Sequence, residues 1–174
     1  SNAHISPMNS MLKQSKLFFS RLKVALHHSG SSGTTSPFRL LSQGLPYYTN
    51  RQGYARDPLT LFLSVNGRCD LRCRMCDIGN KNQESQLYKN LAGDEGKDFP
   101  YERFKTLVDE VSSFKPYISI TTTEPLLYKP MFEAVAYVKS KGMEMNITTG
   151  GLRISKRVDE ILDSELHKIS VSID

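Results

Sequence analysis

Cys69, Cys73 and Cys76 are the three cysteines of the chain, and they fall within eight residues at the spacing Cys-x3-Cys-x2-Cys. An odd number this closely spaced is not a disulfide framework. Thiols crowded on one loop point instead to an inorganic ligand in a reducing compartment, so the expected location is cytoplasmic. Three thiolates can hold three irons of a cubane and leave the fourth iron open. A closed zinc site needs four ligands. No fourth cysteine exists, the histidines (His4, His27, His28 and His167) are distant in sequence, and an Asp such as Asp77 would have to complete the set. A plain electron-transfer ferredoxin usually brings four cysteines. An iron-sulfur or zinc binding or electron-transfer module therefore stands as the alternative to an open-iron cluster. Arg68, Arg72 and Arg74 interleave with the cysteines, and their charge is expected to lower the thiol pKa values.

The cysteines follow a strand-like segment, Leu59 to Asn66. Alternating segments recur at Tyr117 to Thr123, Met143 to Thr149 and Lys168 to Asp174. Between them, Tyr101 to Phe114, Pro130 to Lys141 and Ser155 to Leu166 carry apolar residues at helical spacing. Strand and helix in alternation predict parallel βα units in an α/β fold. In the last three strands Ile118 and Ile120, then Met143, Met145 and Ile147, then Ile169, Val171 and Ile173 share one face. Ser119, Thr121 and Thr123, then Glu144, Asn146 and Thr148, then Ser170, Ser172 and Asp174 share the other. A doubly wound sheet, covered on both faces, would show continuous apolar runs. An ordinary eight-stranded barrel fills its interior with branched aliphatics. The polar face predicts a wide, partial TIM-like barrel whose lumen holds water, cofactor and substrate. About four of its strands lie in this chain, and the cysteine loop sits at the C-terminal end of the first. The polar stretch Asp77 to Pro100 is either a cap over the mouth of the cluster or a solvated excursion with a short helix near Leu87 to Leu91.

The rest of the sequence bounds the function. The chain has 174 residues and a net charge of +5. Residues 1–56 hold seven Lys or Arg and no acidic residue, leaving 16 basic against 18 acidic residues in the remainder. The high pI thus belongs to an N-terminal arm and says little about what the main domain binds. Residues 1–3 read as the remnant of a cleaved tag. Residues 4–58 read as a basic helix (Met8 to Leu26), a Ser/Gly linker and irregular chain, and 59–174 as the barrel portion. The arm fits a membrane-surface or partner-binding helix, a transit peptide, or a helix packed on its own domain. No apolar run is long enough for a membrane-spanning helix. The aromatics of the arm form no stacking platform, so no nucleic acid is expected.

Four elements at successive strand ends resemble the radical S-adenosylmethionine (radical SAM) superfamily. Cys69, Cys73 and Cys76 match its cysteine signature. Thr122-Thr123-Glu124-Pro125 resembles its Gly-Gly-Glu-Pro element, Thr148-Thr149-Gly150-Gly151 its Thr-Asn-Gly turn, and Ser172-Ile173-Asp174 its Ser-x-Asp element. The resemblance covers Leu59 to Asp174. It implies a 4Fe-4S cluster on the three cysteines, its open iron chelated by the methionine part of SAM. It implies that Glu124, with the backbone around Thr122 and Thr123, holds the SAM amino group, a carboxylate beside an amine suiting that task. Thr149 joins the pocket, Ser172 and Asp174 bond the ribose or carboxylate end, and the backbone near Met75 approaches the adenine. The implied activity is that of an enzyme that reductively cleaves SAM to a 5′-deoxyadenosyl radical, which then takes hydrogen from a substrate, peptide or small molecule. The implied electron donor is a reduced ferredoxin or flavodoxin.

Three departures accompany the likeness. Met75 replaces the usual aromatic before the third cysteine, Thr122-Thr123 replaces the glycine pair, and the sequence stops after four of the family's six strands. The chain is therefore expected to be a truncated, inactive part of a longer enzyme, with its last strand an edge prone to self-association. The style of the Thr-Glu-Pro-Leu-Leu-Tyr stretch leans toward the family's peptide-maturing members by analogy.

Overall fold

The computed structural model describes residues 56–92 and 97–173, together with Ser42 and Leu45. The predicted arm helix (Met8 to Leu26), the Ser/Gly linker and Asp174 lie outside the described residues. The chain divides into two units, Ser1–Asp57 and Pro58–Asp174, and the second holds the sheet.

Four strands, β1 (Thr60–Leu63), β2 (Tyr117–Ile120), β3 (Met145–Thr149) and β4 (Lys168–Val171), form one parallel sheet in sequence order. Helices occupy the connections: α1 (Gln86–Ala92), α2 (Tyr101–Val111), α3 (Met131–Ser140) and α4 (Val158–Asp163). The α/β fold with parallel βα units is thus the one the alternation implies. Register explains how the faces sort. Leu61 pairs with Ile118 and Ile118 with Met145, while Leu63, Ile120, Ile147 and Ile169 form the next apolar row. Between them run Phe62, Ser119 and Asn146, then Thr148 and Ser170, on the opposite face.

The apolar rows are sealed by α2 and α3. Phe104, Val108 and Val111 recur at helical spacing on α2, as do Met131, Ala134, Val135 and Val138 on α3. All join Ile118, Ile120, Met145 and Ile147 in one core. At roughly 1.5–3 kcal/mol for each large apolar side chain buried, this layer holds the strand ends in place. Helix α3 stops where Gly142 takes a left-handed φ of 67°. There Met143 N donates to Val138 O and Gly142 N to Lys139 O, the pair of bonds a Schellman cap makes.

The fourth unit departs from expectation. Val171 and Ile173, assigned to the apolar set, are 47% and 90% exposed, and α4 buries no residue. The periodic stretch from Ser155 to Leu166 is broken at Arg157, which separates a 3-10 turn (Ile154–Lys156) from α4. The Arg157 guanidinium donates to Leu126 O and to Glu160 and lies over the Phe132 ring. Those ties turn α4 so that Val158 and Leu162 face solvent. Strand β2 is also shorter than its pattern, because the chain turns at Thr123, φ 60°.

Candidate functional site

Each candidate element sits in the loop that leaves the C-terminal end of a parallel strand, where α/β folds carry their chemistry. The cysteine loop leaves β1, Thr122–Glu124 leaves β2, Thr149–Gly151 leaves β3 and Ser172 leaves β4. A cavity of about 700 Å³ at this rim is lined by Cys69, Cys73 and Cys76 from the first loop and by Thr123, Thr149 and Ser172 from the others. Met75 and Gly150 also line it. Thr122 and Glu124 are off its lining. Thr122 donates to Leu63 O, and Glu124 lies beneath the surface at 1% exposure.

Glu124 is the hub of the turn. Its carboxylate accepts from Leu126 N at 3.0 Å, Gly150 N at 3.0 Å and Thr149 Oγ1 at 2.8 Å. A buried charge needs such partners, and these tie the end of β2 to the end of β3. Its backbone is fixed as well. Glu124 N donates to Arg68 O, and Asn66 Nδ2 donates to Glu124 O. Asn66 is 5% exposed, and its Oδ1 accepts from Arg68 N at 2.9 Å and lies 3.0 Å from Thr123 Oγ1. The first residues of the cysteine loop and the Thr-Thr-Glu turn are therefore one hydrogen-bonded body. Thr123 adopts the left-handed φ that a glycine takes without strain. The hydroxyl contacts to Asn66 offset that strain.

The three cysteines are reduced thiols, half-buried. Burial pushes the Cys69 thiol above its ordinary pKa. The charges of Asp70, Glu124 and Cys76 add to this, and the backbone N–H of Leu71 opposes it. None of the interleaved arginines is among the causes acting on the Cys69 thiol. Arg68 turns away to pair with Asp98 and to donate to Leu127 O, while Arg72 and Arg74 are exposed. Among the described residues, no three His, Cys, Asp or Glu side chains are grouped around a single metal ion. A cubane asks for something else, because its cysteines sit on three separate irons. Three thiols on one loop beside a roomy, partly polar cavity fit a cluster with one iron facing that cavity.

The stretch after the cysteines forms the short helix its sequence suggested, α1. It also packs on the cysteine loop: Ile78 and Tyr88 are buried, and Cys69, Cys76 and Leu91 lie against them. It returns to its starting point through an antiparallel bridge of Asn66 with Asp98 and a bond from Phe99 N to Val65 O.

A family model described as the radical SAM superfamily matches residues 63–174. The chain belongs to the radical SAM superfamily. Among its relatives, a probable GTP 3′,8-cyclase of Methanococcus maripaludis is 26% identical over 70% of this chain and 38% of its own length. Fe-coproporphyrin III synthase of Methanosarcina barkeri is 29% identical over 82% of this chain and 35% of its own. The chain thus spans little more than a third of the length of these curated relatives. The crystal structure of BtrN in complex with AdoMet and 2-DOIA superposes with a TM-score of 0.53. That match covers 67% of this chain and 46% of that one at 23% identity, a likeness of fold. Radical SAM proteins use a 4Fe-4S cluster and SAM, the cofactors the resemblance implies.

Among the described residues, no helix is long and apolar enough to cross a membrane. Within this radical SAM fold, sequence reasoning overlooked Asn66, Leu71 and Asn80, which shape the site without offering ligand chemistry. The Asn-Gly pair at the end of the first strand was the one signal pointing to Asn66. Leu71 lines the cavity and packs against Gly150, where an added Cβ would lie 1.9 Å from Leu71 Cδ1.

Proposed function

We propose that residues 59–174 hold a 4Fe-4S cluster on Cys69, Cys73 and Cys76 and SAM beside it, as the cofactor-binding part of a longer radical SAM enzyme. When bound, these cofactors supply one-electron cleavage of SAM to a 5′-deoxyadenosyl radical that takes hydrogen from a substrate. The observation that carries the reading is the cavity itself. Three cysteines and three other strand-end loops, more than 100 residues apart at their extremes, meet on one surface.

The chain's part is binding and placement. Ile78 and Tyr88 pack against Cys69 and Cys76 and keep water from that side of each. Thr149, Gly150 and Ser172 form the opposite wall, with Ser172 N fixed by Thr149 O at 2.9 Å. Gly150, which lacks a Cβ, lets the strand end and Leu71 approach closely. A carboxylate has about four acceptor positions, and Glu124 has three donors. It is assigned to fixing this wall, with one position left for the amino group of SAM. Thr122 and Thr123 contribute backbone there, Met75 lies on the adenine side, and Ser172 and Asp174 serve the ribose or carboxylate end. The polar row of Ser119, Asn146, Thr148 and Ser170 faces the substrate. A cytoplasmic setting and a reduced ferredoxin or flavodoxin as donor belong to the same reading.

The test is anaerobic reconstitution with iron and sulfide, reduction, and electron paramagnetic resonance with and without SAM. The expected result is a 4Fe-4S signal that SAM changes. A cluster indifferent to SAM, in this chain and in the full-length protein alike, would overturn the assignment.

A further inference from the structure

The cysteine loop is braced by a tripeptide with no metal-binding chemistry of its own, Ile78-Gly79-Asn80. The two N–H groups of an Asn side chain can serve two acceptors at once. Asn80 Nδ2 lies 3.0 Å from Cys73 O and 3.0 Å from Arg74 O. Asn80 N donates to Cys76 O, and Cys76 N donates to Cys73 O. The peptide planes between the second and third cysteines are thus pinned from outside by one side chain and from within by the turn. Gly79 makes this approach possible. A Cβ there would meet Leu71 O at 2.9 Å, Cys73 N at 3.2 Å and Arg72 Cα at 3.3 Å. All three are backbone atoms, which cannot swing aside as a side-chain tip does. Just before the tripeptide the Asp77 carboxylate accepts from Ser85 Oγ at 2.6 Å and Asn82 Nδ2 at 3.0 Å, which anchors the brace to the residue that precedes α1. Asn80 itself is exposed, so the core does not depend on it.

We propose that Asn80, seated by Gly79, is a positioning residue that pre-shapes the loop between Cys73 and Cys76 for the cluster. The inference rests on the reading of these cysteines as cluster ligands, but the order of the loop is measurable without iron. Ligands held in place before binding lose less conformational freedom when they bind. Asn80→Ala removes both donors. Asn80→Asp goes further and sets a carboxylate against two carbonyl oxygens.

The test is competitive thiol alkylation of the metal-free chain under reducing conditions, read cysteine by cysteine by mass spectrometry. Cys69, which Asn80 does not touch, serves as the internal reference. The expected result is that labelling of Cys73 and Cys76 relative to Cys69 rises at least threefold in Asn80→Ala. It should rise further in Asn80→Asp, with the thermal midpoint unchanged. On the reconstituted chain, iron loss to a chelator should quicken in the same order and the midpoint potential of the cluster should shift. Unchanged labelling ratios would overturn the proposal. Equal acceleration of all three cysteines with a lowered thermal midpoint would also overturn it, since Asn80 would then be merely structural. Gly79→Ala provides a second variant, expected to raise labelling of Cys73 and Cys76 against an added peptide thiol, which serves as reference because the new methyl also presses on Leu71 O beside Cys69. Failure of the wild-type chain to assemble a cluster would count against the proposed function, while the labelling ratios would still decide the role of Asn80.

Discussion

Thr149 Oγ1 stands 2.8 Å from each carboxylate oxygen of Glu124, a residue 25 positions earlier at the end of the neighbouring strand. Both residues are 1% exposed. Thr149→Val keeps the shape and removes the donor, leaving a buried charge short of one partner. The expected loss is about 1–3 kcal/mol, read as a lower urea midpoint with unchanged slope. Glu124→Ala should lose more than Glu124→Gln, because it leaves buried donors unmet. A Thr149→Val midpoint equal to wild type would show that the hydroxyl is dispensable.

Gly150→Ala should act through Leu71. The new methyl would collide with Leu71 Cδ1, which a rotamer change can move, so the loss is expected to be about 1–3 kcal/mol. Leu71 lies between Cys69 and Cys73, and its displacement should also weaken SAM binding to the reconstituted chain. Leu71→Ala in the same chain should restore most of both. A double-mutant cycle with no coupling would refute the contact.

The left-handed Thr123 permits strain and hydrogen bonding to be separated. Thr123→Ala loses the hydroxyl contacts to Asn66 and keeps the unfavourable φ. Thr123→Gly loses the same contacts but relieves a strain of about 1–2 kcal/mol. The glycine variant should therefore be the more stable of the two in chemical denaturation. The reverse order would mean that the turn is not strained.

Alkaline pH should weaken the fold partly through Tyr128. This phenol is fully buried and donates to Phe99 O at 2.9 Å. Burial, helped by the charge of Asp98, pushes its pKa up to about 12, whereas a phenol in the unfolded chain titrates near 10. The folded state therefore binds the proton more tightly. The stabilisation is fully present below pH 10 and is lost as pH rises toward 12. Tyr128→Phe should start about 1 kcal/mol lower for the lost bond and escape this decline. The two stability curves should converge above pH 10, and parallel curves would contradict the account.

Among the described residues β4 is the last strand of the sheet, and Val171 and, just beyond it, Ile173 are exposed. Such an edge invites pairing with a second copy. Sedimentation velocity should show concentration-dependent association, and Ile173→Lys should suppress it. A chain that stays monomeric at every concentration would remove this prediction.

Much of the architecture was legible because two periods, 2 and 3.6, sort residues onto faces, and all four strands and three of the longer helical stretches emerged from them. The cysteine spacing and the strand-end elements were legible because they are local. What escaped is non-local or backbone-borne. Glu124 was legible as a partner for an amine, but its second task, bonding Thr149 and Gly150, appears only once β3 is seen beside β2. The arginines beside the cysteines looked like thiol activators, but a partner 30 residues on, Asp98, takes Arg68. Helix α4 kept its helical spacing and still failed to bury Val158 and Leu162, because one arginine broke and turned it. Asn80 carried no sequence signal, since its role depends on a glycine that lets two backbones touch.

The segment that leaves the sheet after Asn66 comes back beside it at Asp98, its two ends joined by the bridge between those residues. In evolutionary terms it is a cassette. The part of the excursion beyond Cys76 can lengthen or shorten without shifting strand register, and doubling its length adds only about 0.6 kcal/mol of closure entropy. What packs on the cysteines can therefore change while the sheet stays as it is. A library at the excursion's exposed positions Gln86, Leu87, Lys89 and Asn90, leaving Asn82, Ser85 and Tyr88 in place, is accordingly the place to retune access to the centre without rebuilding the protein.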